Sequence, residues 1–257
     1  PYTLETGLVS QTNDSAKFVI GKTHVLVGVK AALSEPKFSA PNEGIVQVSV
    51  ECCPSASPEY DGRGAEDLNI KLASALEQLL VSGHHIDLKA LCLIPKRQCW
   101  TLFIDAMVLD SGGNLFDAIS FATRAALANT TLPKVRVIES GRTGEYELEL
   151  SDDPDDCVKI NVDSVPIFVS FNHIGGFPVV DPSMEEELCR GCRTTLGVNK
   201  AGNICSIDKG TGALSLNALS ELTLAATKIG TKLIEQMDAH LVEEANGKTV
   251  KKGFSRK

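Results

Sequence analysis

The thirty residues from Trp100 to Asn129, WTLFIDAMVLDSGGNLFDAISFATRAALAN, constrain the fold more than any other stretch of the chain. Trp100 to Leu109 is almost continuously apolar and stops at Asp110-Ser111-Gly112-Gly113, which predicts a central strand covered on both faces. Asn114 then predicts an N-cap, with Asp117 three residues on to complement the cap and the helix dipole. In the helix that follows, Leu115, Ala118, Ile119, Ala122 and Ala126 share a face. Asp117, Ser120 and Arg124 make only a thin polar stripe, so most of the helix surface should be covered. A strand, two glycines and a buried helix N-terminus form a candidate oxyanion cradle, because first-turn N–H groups have no acceptor within the helix. Such a cradle ordinarily adds Arg or Lys, and here the first helical residues are Leu115 and Phe116. On the residues alone, a well-capped structural helix is the leading reading.

The 257 residues suffice for one large domain or two modest ones, and 43% hydrophobic with 23% charged is ordinary for a globular chain. No run reaches the ~18 apolar residues of a membrane helix, and the N-terminus lacks a basic-then-apolar signal pattern. The start at Pro1 suggests that something upstream has been removed. A formal net charge of -8 argues against a free-standing, electrostatically driven nucleic-acid binder, so any RNA contact should be local or shared with partner chains. The cysteines, most of them in apolar and strand-like surroundings, read as buried thiols of a reducing compartment. Cys189-Arg190-Gly191-Cys192 has C-x-x-C spacing, yet there is no second pair and no nearby His, so neither a metal nor a redox site is expected. The five histidines show no ligand spacing and read as structural.

In chain order, Leu4–Ser10, Ala16–Ile20 and Val25–Leu33 predict an antiparallel meander with turns at Asn13-Asp14-Ser15 and Gly21-Lys22. Glu35–Gly44 is a loop, Ile45–Glu51 a half-exposed strand, and Pro54–Gly64 a second irregular loop of the kind that carries function. Glu66 and Asp67 open a helix with Leu68, Leu72, Leu76 and Leu79 on one face, ending at Gly83. Leu88–Ile94 predicts a strand, and Pro95-Lys96-Arg97-Gln98 a short basic turn. After the central helix come a hairpin, Val135–Glu139 with Glu145–Leu150, around Gly141 and Gly144, and an aspartate-rich loop over Ser151–Asp156. That loop reads as solvated rather than metal-binding. Strands at Cys157–Val162 and Ile167–Ile174, a Gly175-Gly176 turn and a hairpin about Lys200-Ala201-Gly202-Asn203 follow. From Ser215 a long amphipathic helix carries Leu219, Leu222, Ala226, Ile229, Leu233, Met237 and Leu241. The basic tail Lys248–Lys257 reads as a flexible, solvated terminus, with RNA contact the minor alternative.

Asp181 and Glu187 flank Pro182-Ser183-Met184-Glu185-Glu186, and carboxylates so grouped serve as a general acid or hold Mg²⁺. Taken alone this is a weak signal, since surface Glu runs are common. Four stretches nevertheless stand out together: SAKFVIGKTHVLVGVKAAL, WTLFIDAMVLDSGGNLFDAIS, ELSDDPDDC, and VVDPSMEEELC with SIDKGTGALS. Through them the chain resembles the RNase PH superfamily, and within it the non-catalytic ring subunits of the RNA exosome.

The resemblance implies an α+β RNase PH fold, like domain 2 of ribosomal protein S5, in two related halves, each a mixed sheet packed by helices. The halves are placed at 1–150 and 151–247, before the tail at 248–257. Active relatives carry Gly-Gly-Thr-Arg or Gly-Gly-Ser-Arg after the central strand, where the Arg holds the attacking phosphate. The matching positions here are Gly112, Gly113, Asn114 and Leu115, so a hydrocarbon replaces the phosphate ligand. The family's catalytic aspartates match Asp181 and Glu187, with the second lengthened. The resemblance therefore implies a catalytically inactive subunit, without cofactor or metal, with Leu115, Asp181 and Glu187 as degenerate site positions. An active phosphate-dependent exoribonuclease using Asp181 and Glu187 is the alternative. The implied partners are other RNase PH-like subunits, cap subunits and single-stranded RNA threaded through the ring, with no membrane role, in nucleus, nucleolus and cytoplasm. Arg63, Lys96 and Arg97 are the candidate RNA contacts.

Overall fold

The structure is a computed structural model that describes residues 2–139, 146–150, 153 and 156–247. An antiparallel meander opens the chain, formed by β1 (Tyr2–Thr6), β2 (Asp14–Ile20) and β3 (Thr23–Ser34). The first strand therefore lies earlier than the expected Leu4–Ser10. Gly7 at φ 67 ends it, and Ser15 Oγ accepts from the N–H groups of Leu8 and Val9, folding the chain back. Asp14 and Ser15, expected in the turn, belong to β2.

Next come β4 (Ile45–Cys52), a 3-10 turn at Pro58–Tyr60, α1 (Glu66–Val81), β5 (Cys92–Ile94) and β6 (Gln98–Asp110). The strand expected over Leu88–Ile94 is short because Asp87 Oδ1 accepts from the N–H groups of Lys89 and Ala90, which holds those residues in a turn. The first sheet has the order β1-β2-β3-β6-β4, with β5 also on β6. Central β6 runs antiparallel to β3 and parallel to β4, in register from Ile45 opposite Thr101 to Cys52 opposite Val108. It is covered on both faces only through Leu102. Beyond, Ile104, Ala106 and Val108 remain buried while Asp105 and Met107, on the opposite face, are exposed.

The helix α2 (Leu115–Asn129) follows, and then β7 (Thr131–Pro133), β8 (Val135–Glu139), β9 (Tyr146–Leu150) and β10 (Cys157–Lys159). β8 and β9 form the expected hairpin. Gly141 and Gly144, and the tail from Lys248, lie outside the described residues, as do all of the aspartate-rich loop except Asp153 and Asp156. β10 pairs with β7 and stops at Lys159, short of the expected Val162, because β7 offers only three partners.

The second half contains β11 (Ile167–Ile174), β12 (Phe177–Val180), α3 (Met184–Leu188), β13 (Cys192–Val198), β14 (Ile204–Lys209) and α4 (Leu216–Ala245). Its sheet is antiparallel with the order β12-β11-β13-β14, and α4 lies across β11 and β13. The buried line of α4 is Leu222, Ala226, Gly230, Ile234, Met237 and Leu241; the predicted Leu219, Ile229 and Leu233 flank it, half-buried. A Cβ at Gly230 would come within 2.8 Å of Val198 Cβ, so glycine lets the helix backbone approach β13 closely.

Between the two sheets lies α2, packed on β2 and β3 on one side and on β11 on the other. Its polar stripe is buried and used. Ser120 Oγ accepts from Phe168 N at 2.8 Å, Arg124 Nε donates to Val165 O at 3.1 Å, and Arg124 Nη1 pairs with Asp238 at 2.6 Å. One helix thus joins the two halves, while β11, β13 and α4 form a second, separate core of Val169, Phe171, Leu196, Val198, Leu222 and Ala226, giving an α+β architecture. Among the described residues, no helix is long and apolar enough to cross a membrane.

Candidate functional site

The site is assembled where β6 ends. Its last residue, Asp110, passes into Ser111, Gly112 and Gly113, and the loop is pinned from β3, whose Thr23 Oγ1 accepts from Gly112 N and donates to Gly113 O. Gly113 adopts φ 112, and a Cβ there would lie 2.4 Å from Pro182 O. Only glycine allows the segment 182–184 to close over the loop, and Met184 N donates to Gly112 O at 2.9 Å. The double glycine that marks the cradle in the sequence therefore serves a contact with the second half.

Asn114 occupies the N-cap position of α2 but not the expected capping role. Its backbone is left-handed, φ 54, and its side chain accepts nothing from the first turn. Instead Nδ2 donates to Asp117 Oδ2 at 3.1 Å and to Asp181 Oδ1 at 3.3 Å, while its backbone N–H donates to Glu187 Oε1 at 3.0 Å. The left-handed backbone, accessible to Asn at small cost, turns both donors toward the carboxylates. Asp181 and Glu187 are thereby brought together on one residue.

Glu187 is delivered by α3, a five-residue helix that the sequence reading missed. Ser183 caps it, accepting from Glu186 N, and Glu186 Oε2 accepts in return from Ser183 N, a capping box whose S-x-x-E spelling is present in the sequence. Arg190 Nη1 reaches the second oxygen of Glu187 at 3.2 Å. A backbone N–H beside the helix N-terminus, where an anionic reactant would be held, is thus satisfied by the protein's own carboxylate.

Leu115 points away from all of this. It is 8% exposed and belongs to the hydrophobic core, so no side chain projects from that position into the cradle. Asp117, expected only to complement the cap, accepts from both the N–H and the hydroxyl of Ser170 on β11, at 3.0 and 2.6 Å. Burial pushes its carboxyl up to about 6 against the opposing hydrogen bonds from Ser170 and Asn114, and nearby Asp181 adds to the rise. Beside the loop opens a cleft of about 440 Å³, lined by Lys22, Thr23, Gly112, Asp181, Ser183 and Glu186 among others. Lys22 supplies a cation near the cradle. It stands in a turn ninety positions before Gly112, and nothing in the local sequence distinguishes it from a surface lysine.

The three candidate RNA contacts do not form one patch. Arg63 lies in the loop after β4, whose Tyr60 hydroxyl bonds Ser111 Oγ at 2.9 Å, and its exposed side chain pairs with Glu66. Lys96 and Arg97 are exposed in the turn before β6. The thirteen residues of β6, about 40 Å at ~3.3 Å each, separate that turn from the glycine loop. Cys189 is exposed and Cys192 buried, both as free thiols, and no cluster of potential metal ligands occurs among the described residues.

Comparison with known proteins bears on this arrangement. Residues 1–133 match the model of 3' exoribonuclease family (RNase PH) domain 1, and residues 164–234 match domain 2. A Dictyostelium discoideum protein, provisionally named exosome complex exonuclease RRP42, is 36% identical over an alignment spanning 95% of this chain and 90% of its own. The exosome complex component Rrp42 of Pyrococcus horikoshii is 37% identical, with 82% of this chain and 75% of the relative covered. Among solved structures, a chain of the Archaeoglobus fulgidus exosome with RNA bound to the active site superposes with a TM-score of 0.76 at 28% identity, covering 92% of this chain and 87% of that one.

Proposed function

The chain belongs to the RNase PH family of 3' exoribonucleases, and we propose that within it this protein is a non-catalytic ring subunit of an RNA exosome. It supports 3'-to-5' RNA processing and degradation by forming ring interfaces and part of the RNA channel. The observation that carries the loss of catalysis is the state of the cradle. The position after Asn114 is a core leucine, and the Asn114 N–H is taken by Glu187. A phosphate nucleophile entering here would meet the Glu187 carboxylate, no guanidinium projects from position 115, and the nearby Arg190 is already engaged by Glu187. Losing one preorganised electrostatic group of that kind typically costs ~10²- to 10³-fold in rate. The alternative, a phosphate-dependent exoribonuclease, draws on the convergence of Asp181 and Glu187 on Asn114.

Relatives named as exosome components and a fold shared with an exosome chain support the assembly role. The partners are other RNase PH-like subunits, cap subunits and single-stranded RNA, and the protein acts in nucleus, nucleolus and cytoplasm. A net charge of -8 is compatible with RNA handling when basic contacts are confined to the channel, with Arg63, Lys96 and Arg97 as candidates. Size-exclusion chromatography with light scattering on the co-expressed subunits tests the assembly. A stable hetero-oligomer of ring mass is expected, and a protein that stays monomeric beside its candidate partners contradicts the proposal.

A further inference from the structure

The turn before β6 faces the loop between β3 and β4 across a groove of about 590 Å³, lined by Glu35, Lys37, Phe38, Pro41, Lys96 and Arg97. Phe38 is fully exposed. It stands in a loop bounded by Pro36 and Pro41, and Lys37 O accepts from Ala40 N at 3.0 Å, which closes a turn around it. The two walls are tied together, since Lys96 N donates to Pro41 O at 2.8 Å and Lys96 takes a left-handed φ of 66 to do so. Three cations and one carboxylate leave this groove at a formal +2 on a chain of net -8.

An exposed aromatic among cations on a backbone-braced loop has the two components of a single-strand site, a platform for a base and positive charge for the phosphates. A double helix would not use the ring, because its bases already stack on one another. A protein partner fits less well, because the buried centres of protein interfaces are depleted in lysine. The geometry points to a single-stranded RNA-binding groove in which one base stacks on Phe38 and the flanking phosphates are held by Lys37, Lys96 and Arg97. This rests on the RNA-handling role proposed above, and it adds a contact at the opposite end of β6 from the degenerate site.

Fluorescence anisotropy of labelled oligouridylate with the purified full-length chain tests it, with Arg63→Glu as a marker for the other end of the molecule. Phe38→Ala should weaken binding roughly 5- to 150-fold, the usual range for one stacked base, and Phe38→Trp should restore it. Lys37→Ala with Lys96→Ala should make the salt dependence shallower, by about 0.7 in the log–log slope for each lysine. Unchanged melting temperatures would verify that these exposed substitutions leave the fold intact. If Arg63→Glu weakens binding and Phe38→Ala does not, the RNA-handling role stands and the groove is refuted. If the unaltered chain binds no RNA at all, the groove is refuted, while the role in the ring stands or falls on assembly with its partners. Should Phe38→Ala instead release co-purifying subunits while RNA affinity stays the same, the surface is a protein contact and the inference is overturned.

Discussion

Glu187 and Arg124 are the residues on which the account presses hardest, one filling the cradle and the other joining the halves. Glu187 accepts a charge-assisted bond from Asn114 N and a second from Arg190, so Glu187→Ala leaves two donors to water at a part-buried site. A loss of about 1–2 kcal/mol in urea unfolding is expected, and no change would show that the cradle contact is incidental. Arg124 is completely buried, and its only carboxylate partner among the described residues is Asp238, itself shared with Lys200. Burial alone would raise the Asp238 carboxyl, but hydrogen bonds from Arg124 and Lys200 outweigh it and hold it below its ordinary value. Arg124→Ala should leave Val165 O without its buried donor while Asp238, part-exposed, keeps Lys200, and a cost of about 1–3 kcal/mol is expected in the same denaturation. Neither interaction is visible from local sequence. Glu187 lies 73 positions from Asn114 and Asp238 lies 114 from Arg124, and no periodicity spans such intervals.

At the scale of elements, α2 explains what the sequence discloses and what it conceals. An unbroken apolar strand, a double glycine and an alanine-rich helix are strong local signals, so the order β6, loop, α2 is legible residue by residue. What periodicity leaves open is which surface each face meets. The polar stripe, which looks like the less covered side, is the side that docks on the second sheet. Asp117 shows the consequence. Its folded carboxyl titrates near 6, against ~3.9 in an unfolded chain, so the folded state holds the proton more tightly. The associated stability is full below pH ~4 and is lost as pH rises through about 6. Unfolding free energies at pH 4.5 and 7.0 should show that fall in the parent protein and a shallower one in Asp117→Asn. Equal slopes would remove Asp117 as the cause. Elements that escape the sequence are short: β7, β12 and α3 are three, four and five residues long, and both strands contain a proline. For α3 the Ser183-Glu186 capping box was the available signal, hidden within an acidic run.

For the whole molecule, two sheets share one helix, and the site lies on the seam between them. Glycines and Asn114 come from the first half, Asp181 and Glu187 from the second, and the closure of residues 182–184 over Gly113 joins the two. On the proposed reading, Glu187 fills an anion position at this seam and Leu115 gives a cation position to the core. The most direct test is to incubate the purified chain with 3'-labelled single-stranded RNA, Mg²⁺ and inorganic phosphate, and to measure nucleoside diphosphate release. The account predicts none above background, for the parent and for Asp181→Asn alike. Release by the parent that disappears in Asp181→Asn would contradict it.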